Sequence, residues 1–346
     1  MATMIVNIIN LPHRLLIRKN RSTKSSGFNY CYTKIMDFED ELPDIADLNK
    51  IEEGLYLGNI TAAVEPKVLE KNYISHILTV ESKPLPVSIT SLPGMAFLYI
   101  QVDDMANEDL LSHFEEAARF IDDGQRKGNV LVHCYFGVSR SATLVTCFLM
   151  KKYKISVDEA LQRIKSKRRC VGPNSGFLAQ LLLYQMMGWN LVENNVQYLL
   201  YKLQTAATSL IEGNRKLFEE RYQTLVQPDP RTSSSSVPVA YSCRICRSPL
   251  IRKDSILPHC QGENPVWSDC KWSGSMHNLP ICTKGIFTLP ICWMKDTTEI
   301  LQGKLFCPKC QAKVGTYNWC AGCRCPCEAK ITPAFYFIPS KVDKCL

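Results

Sequence analysis

The chain of 346 residues carries a formal net charge of +8, and 46% of it is hydrophobic; this is room for two domains of ordinary composition, too much for one compact core. Its cations are spread along the sequence, so charge alone points to no nucleic-acid partner. No run of 18 or more apolar residues predicts a membrane span, and the opening residues place their charges after the apolar part, the reverse of a secretory signal, so an intracellular protein is expected.

Residues 1–36 contain Arg14, Arg18, Lys19, Arg21, Lys24 and Lys34 but no acid, and an acidic stretch follows from Met36. Residues 1–44 are expected to be a disordered tail, with 1–36 alternatively an upstream extension ahead of Met36, rather than the mitochondrial presequence that the composition of 1–36 also suits. From about residue 49 the pattern alternates. "GLYLGN", "ISHILTV", "MAFLYIQV" and "NVLVHC" predict strands. Between them lie a predicted helix near 61–71 and an amphipathic one over "EDLLSHFEEAARFIDDG", stopped by Gly124. Further helices follow over "SRSATLVTCFLMKKY" and over "SVDEALQRIK", which opens with Ser156 and Glu159 in capping-box spacing. Such alternation predicts an α/β domain over 45–190, a mostly parallel sheet with helices on both faces. Residues 191–236 predict a helix that packs back on this domain and then a flexible linker, "PDPRTSSSSVP". A second domain is expected over 237–346.

Seventeen cysteines need a use other than disulfides, because intracellular compartments keep thiols reduced. Only Cys31, Cys134, Cys147 and Cys170 precede residue 243. Cys134 lies between an apolar strand and a helix, in "VLVHCYFGVSRSATLV". Residues 135–140 then form a loop whose backbone N–H groups can converge on an anion, with the helix N-terminus adding positive potential. The same field favours the thiolate of Cys134. Gly137 permits the tight turn, and Arg140 offers a planar fork for two phosphate oxygens. His133 is expected to orient the loop. A second Cys-to-Arg pair at the same spacing, Cys246 to Arg252, has no strand, glycine or helix around it.

"HCYFGVSRSAT" resembles the signature of cysteine-dependent protein phosphatases in their dual-specificity form. The resemblance implies the cysteine-phosphatase fold and a phosphoprotein substrate, with Cys134 as nucleophile and no metal in the chemical step. The phosphate would lie on Tyr135, Phe136, Gly137, Val138, Ser139 and Arg140, with the Ser141 hydroxyl donating to the departing thiolate. A general acid is implied on the loop "VDDMANEDLLSHF"; the family spacing selects Asp104, with Asp103 as the alternative. "VGPNSGFLAQL" resembles the element that packs behind the family's active site, through Asn174, Gly176 and Phe177. Phe136 stands where the family usually has a small residue, so it either turns away from the loop or crowds it. The absence of lysine from the loop argues against a phosphoinositide substrate.

The other thirteen cysteines lie from Cys243 onward. "CRIC" (Cys243, Cys246) and "CPKC" (Cys307, Cys310) have the form of two knuckles closing a four-cysteine zinc site. A second site is assigned to His259, Cys282, Cys325 and Cys327, with Cys260, Cys270, Cys292, Cys320 and Cys323 as further candidates. Two structural zinc ions in a small, mainly β domain are expected. The run "LFCPKCQAKVGTYNW" through "ITPAF" resembles the zinc-binding tail of the Yvh-type dual-specificity phosphatases. That resemblance implies a protein of cytoplasm and nucleus, with pre-ribosomal particles as partners of the zinc domain; a monomer without membrane association is expected. Two readings follow: a phosphoprotein phosphatase targeted by its zinc domain, or a ribosome-assembly factor whose catalysis is dispensable.

Overall fold

The protein is described here from a computed structural model, over residues 45–232, 236–262, 280–295 and 297–345. The expected tail over 1–44 and Cys270 lie outside the described residues. The first half is built on strands β1 (Leu48–Glu52), β2 (Leu55–Gly58), β3 (Ile74–Glu81), β4 (Ala96–Gln101) and β5 (Asn129–His133), in the order β1-β2-β5-β3-β4. All neighbours are parallel except β1, which pairs antiparallel with β2 at the edge.

The strands read as apolar runs because both faces are covered. Val130 and Val132 of β5 enter the core formed with α4 (Phe114–Lys127), α5 (Arg140–Tyr153), α6 (Val157–Lys167) and α7 (Ser175–Met186), whereas Leu131 between them enters the opposite core. That opposite core holds Ala63 of α1 (Ile60–Val64), Leu69 of α2 (Pro66–Lys71) and Ile89 of α3 (Val87–Thr90). Helix α5 is buried from Arg140 through Met150, which explains why its sequence is apolar nearly all round. Ser156 and Glu159 form the capping box of α6. One boundary differs from the expectation. Helix α4 runs through Gly124 to Lys127 and is capped at Gly128, whose N–H bonds the Gly124 carbonyl at 2.9 Å. Gly124 lies on its buried face, against Val130.

The segment after 190 forms two helices, α8 (Val196–Ile211) and α9 (Arg215–Gln223), broken at Gly213 and Asn214. From these helices Tyr198 and Tyr201 join the first core. Leu200, Leu203, Ala206, Phe218, Tyr222 and Leu225 pack instead with Leu250, Trp319 and Phe335. The helical pair is therefore a wall of the second half as well as a bridge from the first. The expected linker is also shorter than its composition predicts. Gln227 exchanges main-chain bonds with Pro290 and Cys292, and the Arg252 guanidinium reaches the carbonyls of Pro230 and Val237, so the chain is bound to the second domain as far as Pro230 and again at Val237. Of the serine run, residues 233–235 lie outside the described residues.

The second domain is β-rich. Strands β6 (Val239–Cys243) and β7 (Pro249–Arg252) pair with each other, and β8 (Ile286–Thr288), β9 (Gln302–Phe306) and β10 (Lys313–Asn318) belong to a second sheet. A small hairpin of β11 (Cys323–Arg324) and β12 (Lys330–Ile331) precedes β13 (Ala334–Phe337), which completes that second sheet in the order β8-β13-β10-β9. The last strand, β14 (Val342–Lys344), returns to pair with β6. Among the described residues no helix is long and apolar enough to cross a membrane.

Candidate active site

Cys134 follows β5 directly, at the carboxyl end of the central strand, and is buried. Four successive carbonyls of the loop beyond it have partners outside the loop. Tyr135 O accepts from Ile60 N, Phe136 O and Gly137 O from Arg168, and Val138 O from Gly172 N, at 2.9–3.1 Å. Because the N–H of a trans peptide points opposite to its carbonyl, the amides of residues 136–139 are turned inward. Gly137 has φ +68°, and a Cβ there would strike the Gly58 carbonyl, so both the turn and its contact with β2 need glycine. Phe136 is 49% exposed, with its ring edge-on to Tyr135 at 4.8 Å. Of the two alternatives for this bulky residue, it takes the outward one.

Ser141, in the first turn of α5, donates its hydroxyl to Cys134 Sγ at 3.1 Å. His133 is fully buried with Nε2 2.8 Å from the Thr79 hydroxyl, and burial pulls its pKa down to about 3, which holds the ring neutral. Arg140 is buried too. Its Nη1 donates to Glu81 Oε1 at 2.5 Å and to the Val102 carbonyl at 3.2 Å. Its Nε is buried without a hydrogen-bond partner. Burial opposes the charge, but Cys134 and Glu81 outweigh it and raise the Arg140 pKa. Glu81 thus fixes one side of the guanidinium and leaves the other as a fork for an anion.

Asp104 lies on the loop after β4, with Oδ2 3.9 Å from Arg140 Nε. Its Oδ1 accepts from Ser139 Oγ at 2.7 Å and from Asn174 Nδ2 at 2.9 Å. Asp103 instead accepts from Ser82 Oγ at 2.5 Å and is exposed. Between the two acids left open by the sequence, Asp104 is the one facing Arg140. Helix α7 supports this loop from behind. A Cβ on Gly176 would overlap the Ala106 carbonyl, Phe177 is buried in the first core, and Gln180 Oε1 accepts from the N–H groups of Leu110 and Leu111.

A buried cysteine, inward amides, a held guanidinium and a facing carboxylate are the parts of a phosphate-transfer site. Residues 55–187 match the family described as "Dual specificity phosphatase, catalytic domain". The chain is 34% identical over 339 residues to "Dual specificity protein phosphatase MPK-4" of Drosophila melanogaster, covering 86% of this chain and 87% of that one. It is 35% identical over 304 residues to "Dual specificity protein phosphatase 12" of Rattus norvegicus, covering 85% and 88%. The chain belongs to the dual-specificity phosphatases. A solved phosphatase domain, that of Yvh1 from Chaetomium thermophilum, is 33% identical and covers 41% of this phosphatase and 97% of that chain, with a TM-score of 0.39.

The phosphatase has two further constellations in its second half. Cys243, Cys246, Cys307 and Cys310 come together, as do His259, Cys282, Cys325 and Cys327, each set with its ligand atoms within 4.8 Å of one another. Sulfur pairs lie 3.7 Å (Cys243 and Cys310), 3.6 Å (Cys246 and Cys307) and 3.6 Å (Cys282 and Cys325) apart, and Cys327 Sγ is 3.4 Å from His259 Nε2. A tetrahedron with metal–sulfur bonds of about 2.3 Å has edges of about 3.8 Å, so both groups have the size of a metal site. The knuckle turns are closed by Arg247 N to the Cys243 carbonyl and Gln311 N to the Cys307 carbonyl, both at 2.9 Å, with Arg247 and Gln311 at positive φ. Cys260, Cys292, Cys320 and Cys323 stand outside both groups.

Sequence reasoning missed two residues of the phosphatase site. Glu81 ends the strand "ISHILTVE", where one acid after an apolar run signals a buried partner. Arg168 sits in "KSKRR", where surrounding cations disguise the one that is buried.

Proposed function

We propose that the phosphatase hydrolyses phosphotyrosine and phosphoserine or phosphothreonine in proteins through a phosphocysteine at Cys134. The convergence of Cys134, the inward amides, Arg140 and Asp104 on one small volume carries this reading. The Cys134 thiolate attacks phosphorus in line; the S–P bond forms as the bond to the substrate oxygen breaks, and Asp104 protonates that oxygen. The amides of residues 136–139 and the Arg140 fork hold the three remaining oxygens. Water then attacks phosphorus, Asp104 takes its proton, and the S–P bond breaks to return the thiolate, which receives the Ser141 hydroxyl hydrogen bond. Asp104→Asn should lower kcat/KM by on the order of 100-fold for an alkyl phosphate and much less for p-nitrophenyl phosphate, whose leaving group needs little protonation. Equal losses on both would remove Asp104 from the role of acid. Substrate trapping with Asp104→Ala, competed by vanadate, would identify the phosphoprotein.

The second half binds two structural zinc ions, one through Cys243, Cys246, Cys307 and Cys310 and one through His259, Cys282, Cys325 and Cys327. Four soft thiolates in the first site, and three with an imidazole in the second, support this choice of metal and leave no ligand position open for chemistry. We place the protein in cytoplasm and nucleus, with the zinc domain directing it to pre-ribosomal particles; the Yvh-type resemblance of the cysteine-rich tail supports this. Co-sedimentation of the full chain with large-subunit precursors, lost in Cys307→Ser, would support it, and unchanged sedimentation of that variant would overturn it. Full rescue of a null strain by Cys134→Ser would favour the assembly-factor reading over the enzymatic one.

A further inference from the structure

We infer that Tyr201 of helix α8 and Glu212, which caps its C-terminus, hold the Asp104 loop in its working position, which makes the metal-binding half part of the apparatus that delivers the general-acid proton. The inference rests on Asp104 being that acid.

The loop from Val102 to Leu110 is gripped from two sides. Helix α7, wholly within the first half, grips Asp104 through Asn174 and the far end of the loop through Gln180, whose Nε2 also donates to the Glu108 carbonyl at 2.7 Å. The other grip comes from α8. Tyr201 donates its buried hydroxyl to Asp109 Oδ1 at 3.0 Å, and Glu212 at the C-terminus of α8 accepts from Asn107 Nδ2 at 3.1 and 3.2 Å. Beside these contacts is a cleft of about 210 Å³, open to solvent on one side and lined by Ala106, Asn107, Glu108, Gln180, Tyr201 and Gln204. Beside this cleft the loop is held by side-chain hydrogen bonds from both helices.

Those bonds originate on a helix that the second half holds. Tyr198 and Tyr201 face the first core, while Leu200, Leu203 and Ala206 on the same helix face the second. Helix α9 fastens the arrangement, with Phe218 edge-on to the buried Trp319 at 5.5 Å. A shift of the second half relative to the sheet would carry α8 with it, and the Asp109 and Asn107 anchors would follow. Tyr201 and Glu212 touch no reacting atom in this arrangement; they act through the loop, as positioning residues.

The leaving group separates this role from a structural one. Up to the first phosphoryl transfer, displacing Asp104 penalises only protonation of the leaving group, whereas general loosening lowers the rate on every substrate. In the full chain, Tyr201→Phe and Glu212→Gln, alone and combined, should be assayed by kcat/KM, which reports events through the first phosphoryl transfer, on phenyl phosphate and p-nitrophenyl phosphate. Asp104→Asn serves as reference. The expected result is a loss between about 3-fold and 10-fold on phenyl phosphate for each variant, with p-nitrophenyl phosphate changed less than 2-fold, since each removes one hydrogen bond or charge assistance. Selective loss in Asp104→Asn with none, or equal losses, in the α8 variants would overturn the inference. A non-selective Asp104→Asn would overturn the acid assignment itself.

Discussion

Arg168 holds Gly137 in place: its Nε donates to the Gly137 carbonyl at 2.9 Å, while Nη2 donates to the Phe136 carbonyl and Nη1 reaches Asp47 and Asn49. A single buried guanidinium thus ties the outer side of the phosphate loop to the start of the first domain. Lysine cannot span the two carbonyls with one rigid fork. Arg168→Lys is expected to lower kcat/KM by about 10-fold or more and to cost about 2 kcal/mol in stability. Steady-state kinetics and urea denaturation check both; wild-type rates would mean that the loop keeps its shape unaided.

Ser141 is placed to act on the second chemical step, because its hydroxyl points at the sulfur that must leave phosphorus. Ser141→Ala should slow phosphoenzyme breakdown by on the order of 10-fold while formation changes little. A pre-steady-state burst of p-nitrophenol, larger than in the wild type, is the expected signature. Loss of turnover without a burst would place Ser141 in the first step instead.

The neutrality of His133 sets a pH dependence. Its folded pKa, about 3, lies below the unfolded value near 6.5, so below pH 6.5 the unfolded chain binds the extra proton. The stability that a neutral His133 contributes is therefore complete above pH 6.5 and declines as pH falls toward 3, by at most about 1.4 kcal/mol per pH unit. The ring resonances of His133 should not titrate between pH 5 and 8. A midpoint near 6.5 would contradict the buried, Thr79-bonded arrangement.

Helices α8 and α9 belong to the core of the second half, so a fragment beginning near residue 238 would lack a wall of its own domain. Phe218→Ala should cost about 3–5 kcal/mol. A fragment over 195–345 should bind close to two zinc ions and unfold in one transition, whereas 238–345 should unfold at markedly lower denaturant. Elemental analysis and denaturation of both fragments decide this; equal stability would make the helices an accessory.

The phosphate loop was legible because its chemistry is local: Cys134, Gly137, Arg140 and Ser141 lie within eight positions of one another, between a strand and a helix. The knuckles at Cys243 and Cys307 were legible for the same reason. Contacts made by long-range packing were not. Glu81 meets Arg140 only because β3 and β5 pair in parallel, and Arg168 reaches Gly137 only because α6 ends over the loop. Helix α8 was legible by half for a related reason: it packs on the first core through Tyr198 and Tyr201 as expected, but periodicity does not say that its other apolar face belongs to a different core. The serine-rich linker shows the limit of composition, as Gln227 just before it is held by the second domain's main chain and Pro230 within it by Arg252.

The most direct test of the account is the covalent state of Cys134 during turnover. Full-length protein mixed with p-nitrophenyl phosphate, quenched in acid within one turnover and digested for mass spectrometry, should carry one phosphoryl group on the peptide that contains Cys134. The wild type should show this adduct, Ser141→Ala should show more of it, and Cys134→Ser should show neither adduct nor product. Turnover by Cys134→Ser near the wild-type rate, or a phosphoryl group on another residue with Cys134 unmodified, would contradict the nucleophile assignment on which the mechanism depends.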